Sequence, residues 1–320
     1  MILSIILLLI GLAILISGAE ALVRGASSIS KKAGIPPIVI GLTIVAFGTS
    51  APELIVNIFS AIRGTTDLAL GNVIGSNIAN IFLILGISAL IVELKVQKNT
   101  TWKEIPFAVL AVLIVFAMTN DKILDNGITN ILTRIDGIIL LSFFAIFMYY
   151  TVELFRKGAN DIKQEEIKTY SKFISALLII GGLVLLFFGG QLLVNQAVIL
   201  AKLAGLSEML IGLTIVAFGT SLPELATSVI AAKKGHADIA IGNIVGSNIF
   251  NIFWILGATS VIKPVPISAG ANFDILICLI ATTVLFLAMF IRKKHKLERW
   301  QGGLFLFAYI IYIMYLIQRG

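Results

Sequence analysis

The sequence is poor in charge, cysteine and histidine. Only 13% of its 320 residues are Asp, Glu, Lys or Arg, against about 25% in an ordinary soluble domain, which argues against a water-soluble globule. The single cysteine, Cys278, excludes an intrachain disulfide scaffold, and the two histidines fall in loop segments. Apolar residues are abundant instead: 58% of the chain is hydrophobic and the mean hydropathy is +1.04. This composition predicts an all-α polytopic membrane protein.

Ten apolar runs of roughly bilayer-spanning length follow one another along the chain, the first at residues 2–23 and the last at 304–317. We therefore expect ten transmembrane helices with short loops and no aqueous domain. Lys and Arg fall mainly in alternate gaps between the runs, 18 of them against 6. Because basic loops stay on the cytoplasmic side, this bias predicts extracytoplasmic termini in a plasma or inner membrane. The net charge of +7 is thus a topology signal, and nucleic-acid binding is not expected.

The second half of the chain repeats the first. Residues 41–86 align without gaps on residues 212–257 at a constant offset of 171, with 29 of 46 positions identical. The offset continues upstream, which predicts five-helix units at residues 1–155 and 172–320, joined by a cytoplasmic loop at 156–171. Because each unit has an odd number of helices, the two enter the membrane from opposite sides. Such inverted repeats are typical of secondary transporters.

Two acidic residues, Glu53 and Glu224, lie in the middle of long apolar runs. A charged side chain there costs about 2.5 to 3.5 kcal/mol on insertion scales, and such residues are usually functional. The two are equivalent in the repeat, so we expect them to face each other near the membrane midplane. Each follows a proline, Pro52 or Pro223, which should kink the helix and expose backbone carbonyls around residues 46–48 and 217–219.

Oxygen-bearing residues accompany each carboxylate in the sequence. A Thr-Ser pair precedes each glutamate by four and three residues and so shares its helix face. The next helix of each repeat adds Asn and Ser at intervals of four. The set is Thr49, Ser50, Asn72, Ser76, Asn77 and Asn80 in the first repeat, and Thr220, Ser221, Asn243, Ser247, Asn248 and Asn251 in the second. Because all of them offer oxygen and none is His or Cys, the pattern indicates hard cations such as Na⁺ and Ca²⁺.

The motifs GTSAPE and GTSLPE, followed by GNVIGSN and GNIVGSN, resemble the two alpha-repeats of the calcium/cation antiporter superfamily, and the whole chain resembles prokaryotic sodium/calcium exchangers. The resemblance implies that Glu53 and Glu224 are the principal Ca²⁺ ligands and that Thr49 and Thr220 add backbone oxygens. It implies flanking Na⁺ sites built by Ala46, Ser50, Ser76, Ala217, Ser221 and Ser247. Asn80 and Asn251 occupy the central positions of the second helix in each repeat. The potassium-co-transporting branch has Asp where Asn251 stands, which argues against K⁺ co-transport.

These features predict a secondary active antiporter that exchanges Na⁺ for Ca²⁺ by alternating access, with the cations bound between Glu53 and Glu224. Ca²⁺ and Na⁺ are then transported substrates, the lipid bilayer is the surrounding partner, no cofactor is expected and a monomer suffices. The chain is not expected to be an enzyme.

Three other functions stay open from the sequence. A Ca²⁺/H⁺ antiporter would neutralise the same two carboxylates with protons. An intramembrane hydrolase would use them as acid and base, although no His or Lys accompanies Ser50 or Ser221. A passive channel would need weaker binding than a doubly acidic site provides.

Overall fold

The computed structural model describes residues 1–63, 66–121, 130–158, 168–205, 217–267 and 270–319. The helices are α1 Ile2–Ala33, α2 Pro37–Thr49, α3 Ala51–Arg63, α4 (Thr66–Ile78, Ala79–Leu85 and Gly86–Ile91), α5 Lys98–Met118, α6 Arg134–Lys157, α7 Lys172–Leu203, α8 Leu222–Lys233, α9 Ala237–Ile262, α10 Ala271–Ala288 and α11 Arg299–Arg319. Four two-residue strands lie between them, namely β1 Leu94–Lys95, β2 Ile131–Leu132, β3 Val265–Pro266 and β4 Lys296–Leu297.

The expected class, an all-α membrane protein, is confirmed. Over the described ranges, eight helices are long and apolar enough to cross a membrane, and α2 with α3 makes a ninth span if the bent pair is counted as one. The predicted run at 209–232 is described only from residue 217, as a turn at Ala217–Gly219 followed by α8. Most of the predicted connecting loop at 156–171 also falls outside the described residues.

The predicted kink of the first repeat is present between α2 and α3, which meet at an angle of 47°. Pro52 is the second residue of α3 and Pro223 the second residue of α8. Proline is tolerated in a first helical turn because the amide it lacks has no intrahelical acceptor there. Each proline therefore starts a new helix beside the break, and the following glutamate lies in that helix's first turn.

Helices α4 and α9 form the centre of the bundle. Both are largely buried, whereas α1, α6 and α11 bury only a minor part of their length and expose large apolar side chains, as lipid-facing helices do. Each central helix contains a seven-residue π-helical segment, Ala79–Leu85 in α4 and Phe250–Leu256 in α9. The two segments are related by the 171-residue offset. Such π-turns are rare and occur frequently at functional sites.

Helices α1 and α7 pack closely through glycines. A Cβ atom on Gly18 would lie 2.8 Å from the Gly182 carbonyl oxygen, and one on Gly182 would lie 2.8 Å from the Gly18 carbonyl oxygen. A Cβ atom on Gly11, which precedes Gly18 in α1, would lie 2.8 Å from the backbone nitrogen of Leu193, which follows Gly182 in α7. The two helices therefore run antiparallel, and only glycine permits this backbone approach. Since α1 and α7 are equivalent in the repeat, their opposite directions agree with an inverted arrangement.

Short strand pairs join loops at the ends of the bundle. Strand β1 pairs antiparallel with β4, with Leu94 opposite Leu297, and β2 pairs antiparallel with β3, with Leu132 opposite Val265. Both pairs bring together loops that are far apart in sequence. They fix the ends of α4 and α9, the two central helices, relative to α11 and α6.

Candidate functional site

Glu53 and Glu224 lie at the starts of α3 and α8, and each is only 1% exposed. Ser50, three residues before Glu53, donates a hydrogen bond to Glu224 Oε1, so the two glutamates belong to one buried polar cluster. Within the described part of the chain, no Lys, Arg or His forms an ion pair with either of them. Two buried carboxylates without a counter-ion are costly, and a cation between them would remove that cost.

Serine hydroxyls orient one oxygen of each carboxylate. Ser50 donates to Glu224 Oε1 at 3.0 Å, and Ser247 donates to the same oxygen at 3.5 Å. On the other side, Ser76 donates to Glu53 Oε1 at 3.5 Å, and Ser221 donates to the Ser76 hydroxyl at 3.4 Å. Ser50 and Ser221 thus reach across from their own repeat to the polar residues of the other. The second carboxylate oxygen, Oε2, of each glutamate is buried and accepts no hydrogen bond from the described part of the chain.

Four asparagines connect the two central helices. Asn80 donates to Asn248 Oδ1 at 2.9 Å, and Asn251 donates to Asn77 Oδ1 at 3.0 Å. These two bonds are related by the repeat, because residues 80 and 77 correspond to 251 and 248. Each amide NH₂ group is thereby committed across the helix pair. The amide oxygens of Asn80 and Asn251 are left buried, with no donor in the ranges that the structure describes.

Within the described ranges, four buried acceptor oxygens are therefore unsatisfied at equivalent positions, two from each repeat: Glu53 Oε2, Glu224 Oε2, Asn80 Oδ1 and Asn251 Oδ1. A buried acceptor without a partner costs about 1 to 3 kcal/mol, and more when it is charged. Carboxylate and amide oxygens are the ligands preferred by Na⁺ and Ca²⁺. The donor set fits a hard cation and contains no soft ligand.

Threonine and asparagine form a second pair of equivalent contacts, and these include two residues that the sequence analysis missed. Thr49 donates to Asn243 Oδ1 at 3.0 Å, and Asn243 donates to Ser228 Oγ at 2.9 Å. In the other half, Thr220 donates to Asn72 Oδ1 at 3.5 Å, and Asn72 donates to Asn57 Oδ1 at 2.8 Å. Asn57 and Ser228 are fully buried. The signal that identifies them is their equivalence, since both are polar at the same position of two otherwise dissimilar segments.

The backbone around the kink differs in one respect from expectation. The Ala46 carbonyl is not freed from the helix, because it accepts the Ser50 amide at 3.0 Å. A carbonyl oxygen has two lone pairs, and the second one lies 3.4 Å from the Thr49 hydroxyl, whose single proton points to Asn243. Ala217 begins the turn at Ala217–Gly219, and Thr220, which follows that turn, is half-buried.

The serines of the site lack the partners that a nucleophile requires. The described hydrogen-bond partners of Ser50 are Glu224 and Ser247, and that of Ser221 is Ser76. A serine nucleophile is activated by a neighbouring base such as His or Lys, and neither is in contact with these hydroxyls in the described part of the chain. The geometry suits cation coordination and gives no support to hydrolysis.

Comparisons with known proteins agree with this geometry. A family model described as sodium/calcium exchanger protein matches residues 3–152 and 174–318. The chain is 40% identical to CaxA of Alkalimonas amylolytica over 98% of both chains. It is 30% identical to the sodium/calcium exchanger MaX1 of Methanosarcina acetivorans over 97% of both. A solved structure of the sodium-calcium exchanger NCX_Mj, soaked without Na⁺ and Ca²⁺, superposes with a TM-score of 0.84 at 35% identity, covering 98% of both chains.

Proposed function

The chain belongs to the sodium/calcium exchanger protein family, and from that premise we propose that it exchanges Na⁺ for Ca²⁺ by alternating access, with the cations held between Glu53 and Glu224. It is an antiporter of the membrane and not an enzyme. The single observation that carries the ion site is the set of four buried acceptor oxygens, which belong to Glu53, Glu224, Asn80 and Asn251 and have no donor among the described residues.

Charge balance provides the coupling. The described site carries two negative charges and no basic partner, so an empty site is strongly disfavoured in a low-dielectric interior. One Ca²⁺ neutralises the pair, and so do two Na⁺. The protein can then switch the site from one side of the membrane to the other only when one Ca²⁺ or two Na⁺ are bound. Exchange becomes obligatory because neither ion can leave without a replacement.

The remaining residues of the site have assigned roles in this proposal. Glu53 and Glu224 bind Ca²⁺, with backbone oxygens from Thr49 and Thr220. The flanking Na⁺ positions are built by Ala46, Ser50, Ser76, Ala217, Ser221 and Ser247, and Asn80 and Asn251 complete the centre. The hydroxyls of Ser50 and Ser247 both point to Glu224 Oε1, and this shared orientation places oxygen ligands beside the carboxylate. A third Na⁺ would move one net charge in each cycle.

Alternating access requires that the site be open to one side of the membrane and closed to the other. The two halves of the chain differ in exposure accordingly. Helix α1 packs along α8, whereas its equivalent α7 has at most marginal contact with α3. As a result Thr227 of α8 is fully buried, while its equivalent in α3, Val56, is 39% exposed. If α8 became exposed and α3 became covered instead, the site would open to the opposite side of the membrane. We assign this movement to the α1–α7 pair, whose glycine contacts bind the two helices chiefly to each other.

Two inverted five-helix units, ten spans in all, complete the proposal. The antiparallel directions of α1 and α7 and the reciprocal asparagine bonds of the central helices support the inversion. The excess of Lys and Arg in alternate loops supports extracytoplasmic termini in the cell membrane. One chain supplies both halves of the site, so a monomer is sufficient for transport.

The test is ion transport by purified protein in vesicles. With Na⁺ inside and ⁴⁵Ca²⁺ outside, we expect uptake that stops when the Na⁺ gradient is removed and that persists when a protonophore collapses any pH gradient. Imposing a membrane potential should change the rate if one net charge moves. Uptake driven by a pH gradient and indifferent to Na⁺ would instead establish Ca²⁺/H⁺ exchange by the same carboxylates.

A pair of glutamine variants tests the site itself. Glu53→Gln removes one of the two negative charges and should abolish Ca²⁺ transport. The matched control is Glu104→Gln, because Glu104 is also a buried carboxylate, 2% exposed, but contacts Tyr150 outside the site. The control should retain exchange. Normal exchange by Glu53→Gln, or equal loss in both variants, would refute the assignment.

A further inference from the structure

Two loops that are distant in sequence form one basic platform at an end of the helix bundle. Strand β1 sets Lys95 opposite Lys296 of β4, and the Val96 amide donates to the His295 carbonyl at 2.9 Å. The pairing joins the loop after α4 to the loop before α11. We define the platform by its cationic side chains, which are Lys95, Lys98, Arg292, Lys293, Lys294 and Lys296.

Only part of this positive charge is compensated within the protein. Lys293 lies 3.7 Å from Glu93 and 3.5 Å from Glu298, and Lys296 lies 3.3 Å from Glu93. The other four cations of the platform are exposed and have no carboxylate within 4 Å in the described part of the chain. The platform therefore presents a surplus of free cationic groups to its surroundings.

The backbone of the platform is held in a conformation that favours glycine. Arg292 has φ 55° and His295 has φ 58°, and they are the two non-glycine residues with positive φ over the described ranges. His295 is fixed by its amide, which donates to the Met289 carbonyl at 2.8 Å, and by a 3.0 Å contact between its Nδ1 and Thr101 Oγ1. Glycine at position 292 would avoid the strain. Non-glycine residues with such a backbone conformation are often functional, and the Arg292 side chain is exposed with no carboxylate within 4 Å over the described ranges.

Tryptophans place the platform at the level of the membrane surface. Trp102 is 55% exposed and packs against Phe290, with ring centroids 5.0 Å apart. Trp300 is 40% exposed and donates its indole N–H to Glu298 at 2.9 Å. Exposed tryptophans at helix ends are typical of the interface between lipid tails and headgroups. The free cations beside them therefore lie at headgroup depth.

Among the described residues, the equivalent strand pair at the other end shows no such surplus. Around β2 and β3 these residues include two basic ones, Arg134 and Lys263, and two acidic ones, Asp121 and Asp136, so their charges cancel in number. The strand-paired loop is thus common to both ends, but the charge is not. The charge difference between the two ends has the sign that the positive-inside bias predicts, since the platform lies on the side predicted to be cytoplasmic. The lipid leaflet on that side carries the anionic headgroups.

We propose that the platform binds the phosphate headgroups of anionic phospholipids in the adjacent leaflet. Arg and Lys recognise phosphate oxygens through charge-assisted hydrogen bonds, and cationic groups beside a membrane helix attract anionic lipids in an additive way. Because the platform joins the end of the central helix α4 to α11, a bound headgroup would also hold these two helices together. The protein should therefore be more stable in anionic lipid.

The experiment uses the full chain purified in detergent, with phosphatidylglycerol or phosphatidylcholine added in equal amounts. Native mass spectrometry counts the lipids bound, and thermal unfolding measures the stabilisation. We expect a gain in melting temperature with phosphatidylglycerol that is small with phosphatidylcholine and falls as salt is raised. An arm with inorganic phosphate distinguishes the lipid from the free anion and should give no comparable gain.

Three variants locate the effect. Replacing Lys98, Arg292 and Lys294 together by Gln should weaken phosphatidylglycerol binding roughly 100-fold, at about fivefold per cation. The matched control replaces three other exposed lysines by Gln, namely Lys32, Lys172 and Lys233. They lie on the same predicted side of the membrane but outside the platform, so this variant should keep the stabilisation by phosphatidylglycerol. A single Arg292→Gly change relieves the strained φ, so it should leave stability in phosphatidylcholine unchanged or higher while reducing the gain from phosphatidylglycerol.

Three results would overturn the proposal. The first is an equal gain from both lipids or from inorganic phosphate. The second is a triple platform variant that binds phosphatidylglycerol as the unmodified protein does. The third is an equal loss in the control triple, since the effect would then follow from total charge and not from the platform.

Discussion

The buried hydroxyl of Ser228 provides a test of how precisely the site must be positioned. Ser228 Oγ accepts from the Asn243 amide at 2.9 Å, and Asn243 in turn accepts from the Thr49 hydroxyl at 3.0 Å. In Ser228→Ala the buried amide keeps only a 3.4 Å contact with the Glu224 carbonyl. The lost bond is worth about 0.5 to 1.5 kcal/mol and the unsatisfied N–H up to about 3 kcal/mol. We expect the amide to rotate and release Thr49.

The consequence for transport follows from the place of Thr49 beside the carboxylates. If the misaligned ligands weaken the free energy of Ca²⁺ binding by about 1 kcal/mol, the half-saturating Ca²⁺ concentration rises roughly fivefold. The maximal rate should change much less, because Ser228 is not among the proposed ion ligands. The assay is ⁴⁵Ca²⁺ uptake into vesicles over a range of external Ca²⁺, with thermal unfolding measured on the same preparations.

Neighbouring residues provide the controls for this prediction. Thr227 is also fully buried, but its hydroxyl has no hydrogen-bond partner among the described residues. Thr227→Val should therefore leave the half-saturating concentration unchanged and the protein as stable or more stable. In the first repeat, Asn57 is the equivalent of Ser228. Asn57→Ser keeps a hydrogen-bonding side chain at this position, so it should lower the Ca²⁺ affinity less than Asn57→Ala does. An unchanged concentration in Ser228→Ala, or an equal rise in Thr227→Val, would refute the reasoning.

Further predictions concern packing, an ion pair and the charge of the centre. Gly182→Ala should destabilise the protein by about 1 to 3 kcal/mol and slow exchange, because its Cβ would lie 2.6 Å from a backbone nitrogen of α1. Gly181→Ala should do neither, since a Cβ there would meet no atom of the described residues within 4 Å. Thermal unfolding compares the two variants. Glu20→Gln breaks the 2.9 Å pair with Lys234, whose side chains are 38% and 33% exposed, so the exchange rate should change by less than about fivefold. Asn251→Asp adds a third carboxylate and should lower the half-saturating Ca²⁺ concentration; a higher value would contradict the cation site.

The centre of the candidate site could be predicted from the sequence because its residues are polar or charged while their neighbours in the sequence are apolar. Glu53 and Glu224 are charged residues within apolar runs, and the 171-residue offset places the same polar residues beside each of them. Membrane insertion makes such residues too costly to occur without a reason. The structure brings both carboxylates together with Ser50 and Ser76. Their roles as ion ligands stay a prediction.

Other parts of the site could not be predicted, because they depend on contacts between the repeats. Helical spacing of four places Asn80 in line with Ser76, but the π-helical segment that begins at Ala79 interrupts that spacing. No sequence rule gives the position of a π-turn. Asn57 and Ser228 escaped notice because each looks like an isolated polar residue until its partner on the adjacent helix is known.

The cross-repeat contacts make the two halves of the site interdependent. A single repeat supplies one carboxylate and one unsatisfied amide oxygen, and one negative charge does not neutralise Ca²⁺. The hydroxyl of Ser50 belongs to the first repeat but orients Glu224 of the second, at 3.0 Å. A change in one repeat must therefore alter the carboxylate of the other. In the proposed mechanism, duplication creates a divalent-cation site that neither half contains, which would explain why both copies of the motif keep the same register of polar residues.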